Sequence, residues 1–134
     1  MVIDTSAIAA IALNEPEATE FEERIADDPV RLISAATALE ATIVLETRLG
    51  AAGGREFDLW LYKVGAEVVP VDAEQMDAAR RAWRQYGKGR HPAALNFGDC
   101  FSYALALTRM EPLLSKGEDF ARTDIHRRIE GSAG

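Results

Sequence analysis

Four short apolar runs punctuate this 134-residue chain, and a segment of helical character separates each from the next. The runs are Met1–Ile3, Arg31–Ser34, Glu67–Val71 and Pro112–Ser115. Strands joined through helices pair in parallel, and a parallel sheet has to be covered on both faces. The expected fold is therefore α/β: a mostly parallel sheet of four or five strands with helices on both faces. The length suits one domain, residues 1–134. Pro70 assigns the third run to a sheet edge, because proline cannot complete a central ladder.

The intervening segments set further expectations. Residues 6–13, all small or apolar, read as a short helix against the sheet. Asn14, Pro16 and Glu17 have the form of a helix start, so a second helix is expected from there to about Ala26, with Phe21 and Ile25 facing inward. A long helix spans about Ala36 to Leu49 and stops at Gly50. Gly53-Gly54 is expected to separate it from another, about Arg55 to Val64, whose stripe is Phe57, Leu61 and Val64. Asp72 caps a helix to Tyr86 with Met76, Ala79 and Trp83 on its inner face. Gly87–Leu95 is a basic loop, and an Ala- and Leu-rich buried helix runs from Asn96 to about Arg109. Lys116–Phe120 is a turn, followed by a polar tail.

Composition narrows the function classes. With 48% hydrophobic and 28% charged residues, the chain has the balance of a globular protein, and no apolar run is long enough for a membrane span. There is no basic-then-apolar leader, and the single Cys100 cannot form an internal disulfide, so a cytoplasmic location is expected. A net charge of −7 speaks against general nucleic-acid binding, but the charge is unevenly spread. Between Glu15 and Asp28 seven acids face one base, Arg24, and form a solvated helix face. Between Ala78 and Gly98 there are five bases (Arg80, Arg81, Arg84, Lys88 and Arg90) and no acid. One basic surface on an acidic protein is enough to hold a phosphate backbone. A solvated helix face explains the arginines equally well, whereas Lys88 and Arg90 sit in a glycine-flanked loop that reaches phosphate most easily.

Four acids stand out by position. Asp4 follows the first strand, Glu40 lies early in the helix after the second, Asp99 opens the helix after Asn96, and Asp119 follows the fourth strand. Strand ends and the starts of the following helices share one edge of a parallel sheet, which is where α/β proteins bind ligands. Each acid also has a purely structural reading. Thr37–Glu40 and Asn96–Asp99 have capping-box spacing, Asp4 can cap the helix behind it, and Asp119 can shape a turn. Capping alone does not predict a gathering at one edge, and gathered carboxylates need a cation or raised pKa values. Carboxylates without cysteine or paired histidine select Mg²⁺ or Mn²⁺. His91 and His126 lie far apart on polar segments and read as surface histidines, and Cys100 reads as a small core filler.

The sequence resembles the PIN-domain ribonucleases, and within them the VapC-type toxins of bacterial toxin–antitoxin pairs. The resemblance rests on Met1-Val-Ile-Asp4-Thr-Ser6, Leu39-Glu40, the block from Asn96 to Ala104 with Asn-Phe-Gly-Asp99, and the block from Pro112 to Asp124 with Leu-Leu-Ser-Lys-Gly-Glu-Asp119-Phe. These pieces lie in order along nearly the whole chain. The resemblance implies a three-layer PIN-like fold and a Mg²⁺-dependent (alternatively Mn²⁺-dependent) endoribonuclease. Asp4 and Asp99 would be the metal ligands, and Glu40 would hold the metal through water or activate the attacking water. Asp119 would complete the acidic pocket, and Thr5 and Ser6 would orient the first Asp or the scissile phosphate. It further implies a cognate VapB-type antitoxin, which inserts a helix in an apolar groove and a basic side chain into the acidic pocket, and a homodimer within a toxin–antitoxin hetero-oligomer. Many family members carry their fourth acid two residues before Asp119, where Gly117 stands here, so Glu118, Asp119 and Asp124 all remain candidates, with Asp119 preferred.

Two rival functions differ in class. A haloacid-dehalogenase-like phosphohydrolase would use Asp4 as a covalent nucleophile, but it wants an Asp where Ser6 stands. A PIN-like shell that only binds RNA or protein gains support from Gly117.

Overall fold

The computed structural model describes residues 1–125. Four strands form one sheet in the order β3-β2-β1-β4: β1 (Val2–Ile3), β2 (Leu32–Ser34), β3 (Glu67–Val69) and β4 (Leu113–Leu114). Every pairing is parallel, with Val2 opposite Leu32, Ile3 opposite Leu114, and Ser34 opposite Val69. The fold is thus the expected α/β arrangement, and β3 does lie at an edge, but it stops at Val69, so Pro70 follows the strand instead of sitting in it.

Side chains alternate across the sheet, and two cores result. Val2 and Leu32 face α5 (Ala73–Tyr86) and α6 (Phe97–Arg109), joining Val69, Ala79, Tyr103 and Leu105 in one cluster. Ile3, Ile33 and Leu114 face the opposite way and pack with Ile8, Phe21, Leu45 and Phe57 from α1 (Thr5–Ala12), α2 (Ala18–Asp27), α3 (Ala35–Leu49) and α4 (Ala51–Val64). Because both faces are covered, Val2, Ile3 and Ile33 are fully buried.

Four local expectations need correction. Gly53-Gly54 lies inside α4; the chain breaks earlier, at Gly50, where φ is +73°. The pair is a packing device: a Cβ on Gly53 would lie 2.5 Å from the Leu45 carbonyl oxygen, so glycine lets α4 press against the backbone of α3. The second helix begins at Ala18 rather than at Asn14, whose φ of +52° places it in a left-handed turn. On α5 the inward residues are Gln75, Ala78, Ala79, Ala82 and Tyr86, while Met76 and Trp83 are 45% and 43% exposed. The tail also starts later than expected, since Phe120, Thr123 and Ile125 are buried and a short 3₁₀ turn, Phe120–Arg122, follows the Lys116 loop. His126 lies outside the described residues.

One side chain ties the helix ends together. The Arg31 guanidinium donates to the carbonyls of Ile25 (2.8 Å), Ala26 (3.1 Å) and Asp28 (3.0 Å) at the end of α2, and to Val64 (2.8 Å) at the end of α4. Orphan carbonyls at helix C-termini attract a cation of this kind.

Candidate active site

Asp4 closes β1 and opens α1. Its amide N–H donates to Leu114 of β4 at 3.0 Å, and its carboxylate caps α1 by accepting from the Ser6 amide at 3.1 Å. A simple N-cap would end there and face water. Asp4 is only 3% exposed and accepts from two further hydroxyls: Ser6 to Oδ2 at 2.7 Å, and Ser102 of α6 to Oδ1 at 2.6 Å. Both donors are themselves held. The Lys116 amide N–H donates to Ser6 Oγ at 2.9 Å, and the Thr37 hydroxyl lies 3.3 Å from Ser102 Oγ. The Lys116 ammonium in turn pairs with Glu15, and with Glu17 at 3.3 Å, so two acids of the expected solvated face clamp this loop.

Glu40 approaches from the second turn of α3. It accepts from the Thr5 hydroxyl, which therefore faces Glu40 and not Asp4, whereas Ser6 does orient Asp4. The Glu40 carboxylate lies against the first turn of α6, where a Cβ on Gly98 would fall 2.0 Å from Oε2 and 2.6 Å from Cδ. Glycine at 98 leaves the space that Glu40 fills.

Asp99 occupies the third position of α6 and completes a full capping box. Its amide donates to Asn96 Oδ1 at 2.9 Å, and its Oδ2 accepts from the Asn96 amide at 3.0 Å. Burial, followed by the charges of Asp4, Asp119 and Glu40, pushes its carboxyl up to about 6, against the lowering effect of the Asn96 hydrogen bond. Capping and clustering are therefore not alternatives at this residue: the same carboxylate does both.

Of the three candidates for the fourth acid, Asp119 is the one whose charge is felt at Asp99. Asp119 and Glu118 are both exposed, and Asp124 accepts from the Tyr103 hydroxyl. Gly117 has φ +100°, a conformation that favours glycine, so the residue that stands in place of an acid shapes the turn ahead of Asp119.

Lys88 and Arg90 are exposed on the basic loop, which the backbone closes through Lys88 N–H to Leu95 O (2.9 Å) and Leu95 N–H to Tyr86 O (2.9 Å). Arg90 lies over the Trp83 ring, 4.1 Å from its centroid. His91 serves the loop, with Nδ1 accepting from the Ala93 amide at 2.9 Å and its ring edge-on to Tyr86. Cys100 is buried, and burial and then Asp99 push its thiol up to about 11, which leaves it a filler and not a nucleophile.

Sequence reasoning missed Ser102, Thr37 and Gly98. Ser102 did carry a signal, since it follows Asp99 by three residues and shares a helix face with it. Thr37 has capping-box spacing to Glu40, but Ser34 caps α3, and Thr37 is buried inside the helix, where it meets Ser102.

The donor set is all oxygen, which fits a hard divalent cation, and the acids crowding Asp99 supply the negative charge that such a cation offsets. Among the described residues, no group of three Asp, Glu, His or Cys side chains is placed so that it could hold a metal ion.

The PIN-domain family model matches residues 1–126. This chain belongs to the PIN-domain family. It is 59% identical to a Ribonuclease VapC of Mycolicibacterium smegmatis over 125 residues, covering 93% of this chain and 97% of the relative. It is 56% identical to Ribonuclease VapC30 of Mycobacterium tuberculosis, again over 125 residues, covering 93% and 95%. The fold also matches the crystal structure of Mycobacterium tuberculosis VapC20, described as a Sarcin-Ricin loop cleaving toxin, with a TM-score of 0.73 at 20% identity over 90% of this chain and 92% of that one. At that identity the likeness concerns the fold. The 56–59% identity to the two VapC relatives places this PIN domain in the VapC group. No helix among the described residues is long and apolar enough to cross a membrane.

Proposed function

We propose that this PIN domain is a VapC-type toxin: a Mg²⁺-dependent endoribonuclease, with Mn²⁺ as the alternative ion, neutralised by a cognate VapB-type antitoxin. The observation that carries the reading is that Asp4, bonded to Ser102, and Glu40, packed on Gly98, both reach the helix that carries Asp99, whose carboxyl feels their charge and that of Asp119. The relatives' ribonuclease names support it.

Asp4 and Asp99 would hold the metal. When bound, a divalent cation lowers the pKa of a coordinated water and offsets charge on the phosphate oxygens. The chain supplies the rest. Ser6 and Ser102 fix both oxygens of Asp4, so the ligand is oriented before substrate arrives. Thr5 holds Oε1 of Glu40, which leaves Oε2 to take the proton of the attacking water. Asp119, exposed at the rim, completes the acidic pocket. Lys88 and Arg90 would hold flanking phosphates.

An apolar groove of about 200 Å³ runs between α1, α3 and α4, lined by Ile8, Ile11, Leu45, Leu49, Phe57 and Trp60. It suits the apolar face of an antitoxin helix. Free toxin is expected to pair as a homodimer, and the two proteins to form a hetero-oligomer. Induction of the chain alone in a bacterial host should arrest growth, and co-expression of the antitoxin should relieve the arrest. Unimpeded growth with abundant folded protein would count against the toxin reading.

A further inference from the structure

A second, larger groove of about 510 Å³ opens between α5 and the first turn of α6. Its size is that of a small-molecule site, and its walls are apolar and aromatic: Met76, Trp83, Phe97 and Phe101, with Lys88 at the rim. Two features set it apart from core. Phe97 is 81% exposed, although it stands beside a buried helix face, and Trp83 is 43% exposed. The Phe97 and Phe101 rings are perpendicular with centroids 5.0 Å apart, and the Arg90 guanidinium lies 4.1 Å above Trp83. Aromatic faces beside planar cations are what unstacked nucleobases bind.

Charge and position identify the occupant. Arg80 and Lys88 line this groove and Arg90 lies over its Trp83 wall; Arg80 is paired with Asp77, whereas among the described residues Lys88 and Arg90 form no ion pair. A symmetric pair of chains meeting here would set that basic patch against its own copy, whereas a polyanion complements it. Asn96 and Phe97 line the groove, and Asp99 stands within one helical turn of both, in the acidic cluster. A nucleotide in the groove would therefore adjoin the phosphodiester at the carboxylates.

We propose that the α5–α6 groove is a nucleobase subsite, in which an unpaired base of the RNA chain next to the cleaved bond stacks on Phe97 and Trp83 while Lys88 and Arg90 hold its phosphates. The proposal rests on the ribonuclease reading above. It makes Phe97 and Trp83 specificity-determining residues, because the groove's shape selects among bases while the loop cations do not.

The test measures binding of a fluorescent single-stranded oligoribonucleotide in EDTA, so that affinity is read without cleavage. Phe97→Ala should weaken binding about 5- to 150-fold, the range for loss of one stacked base, with the salt dependence unchanged. Phe97→Trp should restore it. Lys88→Gln should instead lower the slope of log K against log salt by about 0.7. An abasic oligomer of the same length should bind Phe97→Ala and the parent chain equally. Equal affinity of the parent and Phe97→Ala for the base-bearing strand would overturn the subsite, while Mg²⁺-dependent cleavage by the same protein would leave the nuclease reading intact. A Phe97→Ala variant that turns a dimer into a monomer in sedimentation without altering RNA affinity would overturn it too, and would make the groove a contact between copies. A parent chain that neither binds nor cleaves RNA would remove both readings.

Discussion

The contact between Gly98 and Glu40 allows position and stability to be separated by one methyl group. In Gly98→Ala the new Cβ would lie 2.0 Å from Glu40 Oε2 and 2.6 Å from Cδ. Ordinary van der Waals contact begins near 3.4 Å, so the carboxylate has to withdraw by more than 1 Å. Glu40 is half-buried and its carboxylate is the far end of a flexible side chain, which makes withdrawal cheap for the fold. Alanine in place of glycine in a helix gains about 0.5–1 kcal/mol, which offsets most of the remaining cost. Stability should thus change by less than about 1 kcal/mol, a shift of only a few degrees in melting temperature for a domain this size. Catalysis should respond quite differently, because a 1 Å displacement of a catalytic group costs on the order of 100-fold. The assay is single-turnover cleavage of RNA in Mg²⁺ alongside thermal unfolding, for Gly98→Ala, Glu40→Gln and the double variant. Gly98→Ala should lose roughly 100-fold in rate in the parent background and almost nothing in the Glu40→Gln background. Full activity in Gly98→Ala would refute the role given to Glu40's position, as would an equal loss in both backgrounds.

Other consequences concern the supporting residues. Ser102→Ala removes the donor to Asp4 Oδ1, and should weaken Mn²⁺ binding by about 10- to 100-fold in calorimetry while the protein remains folded. Asp99 makes the metal-free protein sensitive to pH. Its carboxyl is raised from 3.8 to about 6, so between those values the folded state binds more protons than the unfolded state, and stability falls as pH rises. Partial solvent screening holds the effect to about 1–2 kcal/mol, fully expressed above pH 6 and absent below about pH 4; Mg²⁺ should flatten it and Asp99→Asn should remove it, as followed by denaturant midpoints. Arg31→Ala leaves four helix-end carbonyls without their donor and should cost about 2–3 kcal/mol in denaturant unfolding, and Arg31→Lys should not restore it because an ammonium lacks the planar fork.

The sheet was legible because its strands are short and its two middle strands are fully buried, so each strand appears as an isolated, mostly apolar run between helical segments. The acids were legible by position, since a parallel sheet brings strand ends and helix starts to one edge. What failed was distance information. Gly53-Gly54 reads as a break in one dimension but marks where two helices touch, a fact that depends on Leu45 eight residues away. Met76 and Trp83 have inward spacing, yet Ala78, Ala79 and Ala82 take the core because α5 packs closely on α6. Asp4's most intimate partner, Ser102, lies ninety-eight positions along the chain and becomes visible only once α6 is docked. At Asp99 the capping box hid the second role, since a cap and a ligand call for the same residue types at the same helix start.

The central claim is that Asp4 and Asp99 hold a divalent cation that drives RNA hydrolysis. It is tested most directly by mapping cleavage of total cellular RNA with the purified chain in Mg²⁺, in EDTA, and in Mg²⁺ with Asp4→Asn or Asp99→Asn. Discrete cuts in Mg²⁺ alone, absent from EDTA and from both variants that still unfold cooperatively, are the predicted result. Cuts that persist in EDTA, or at full rate in both variants, would contradict the account.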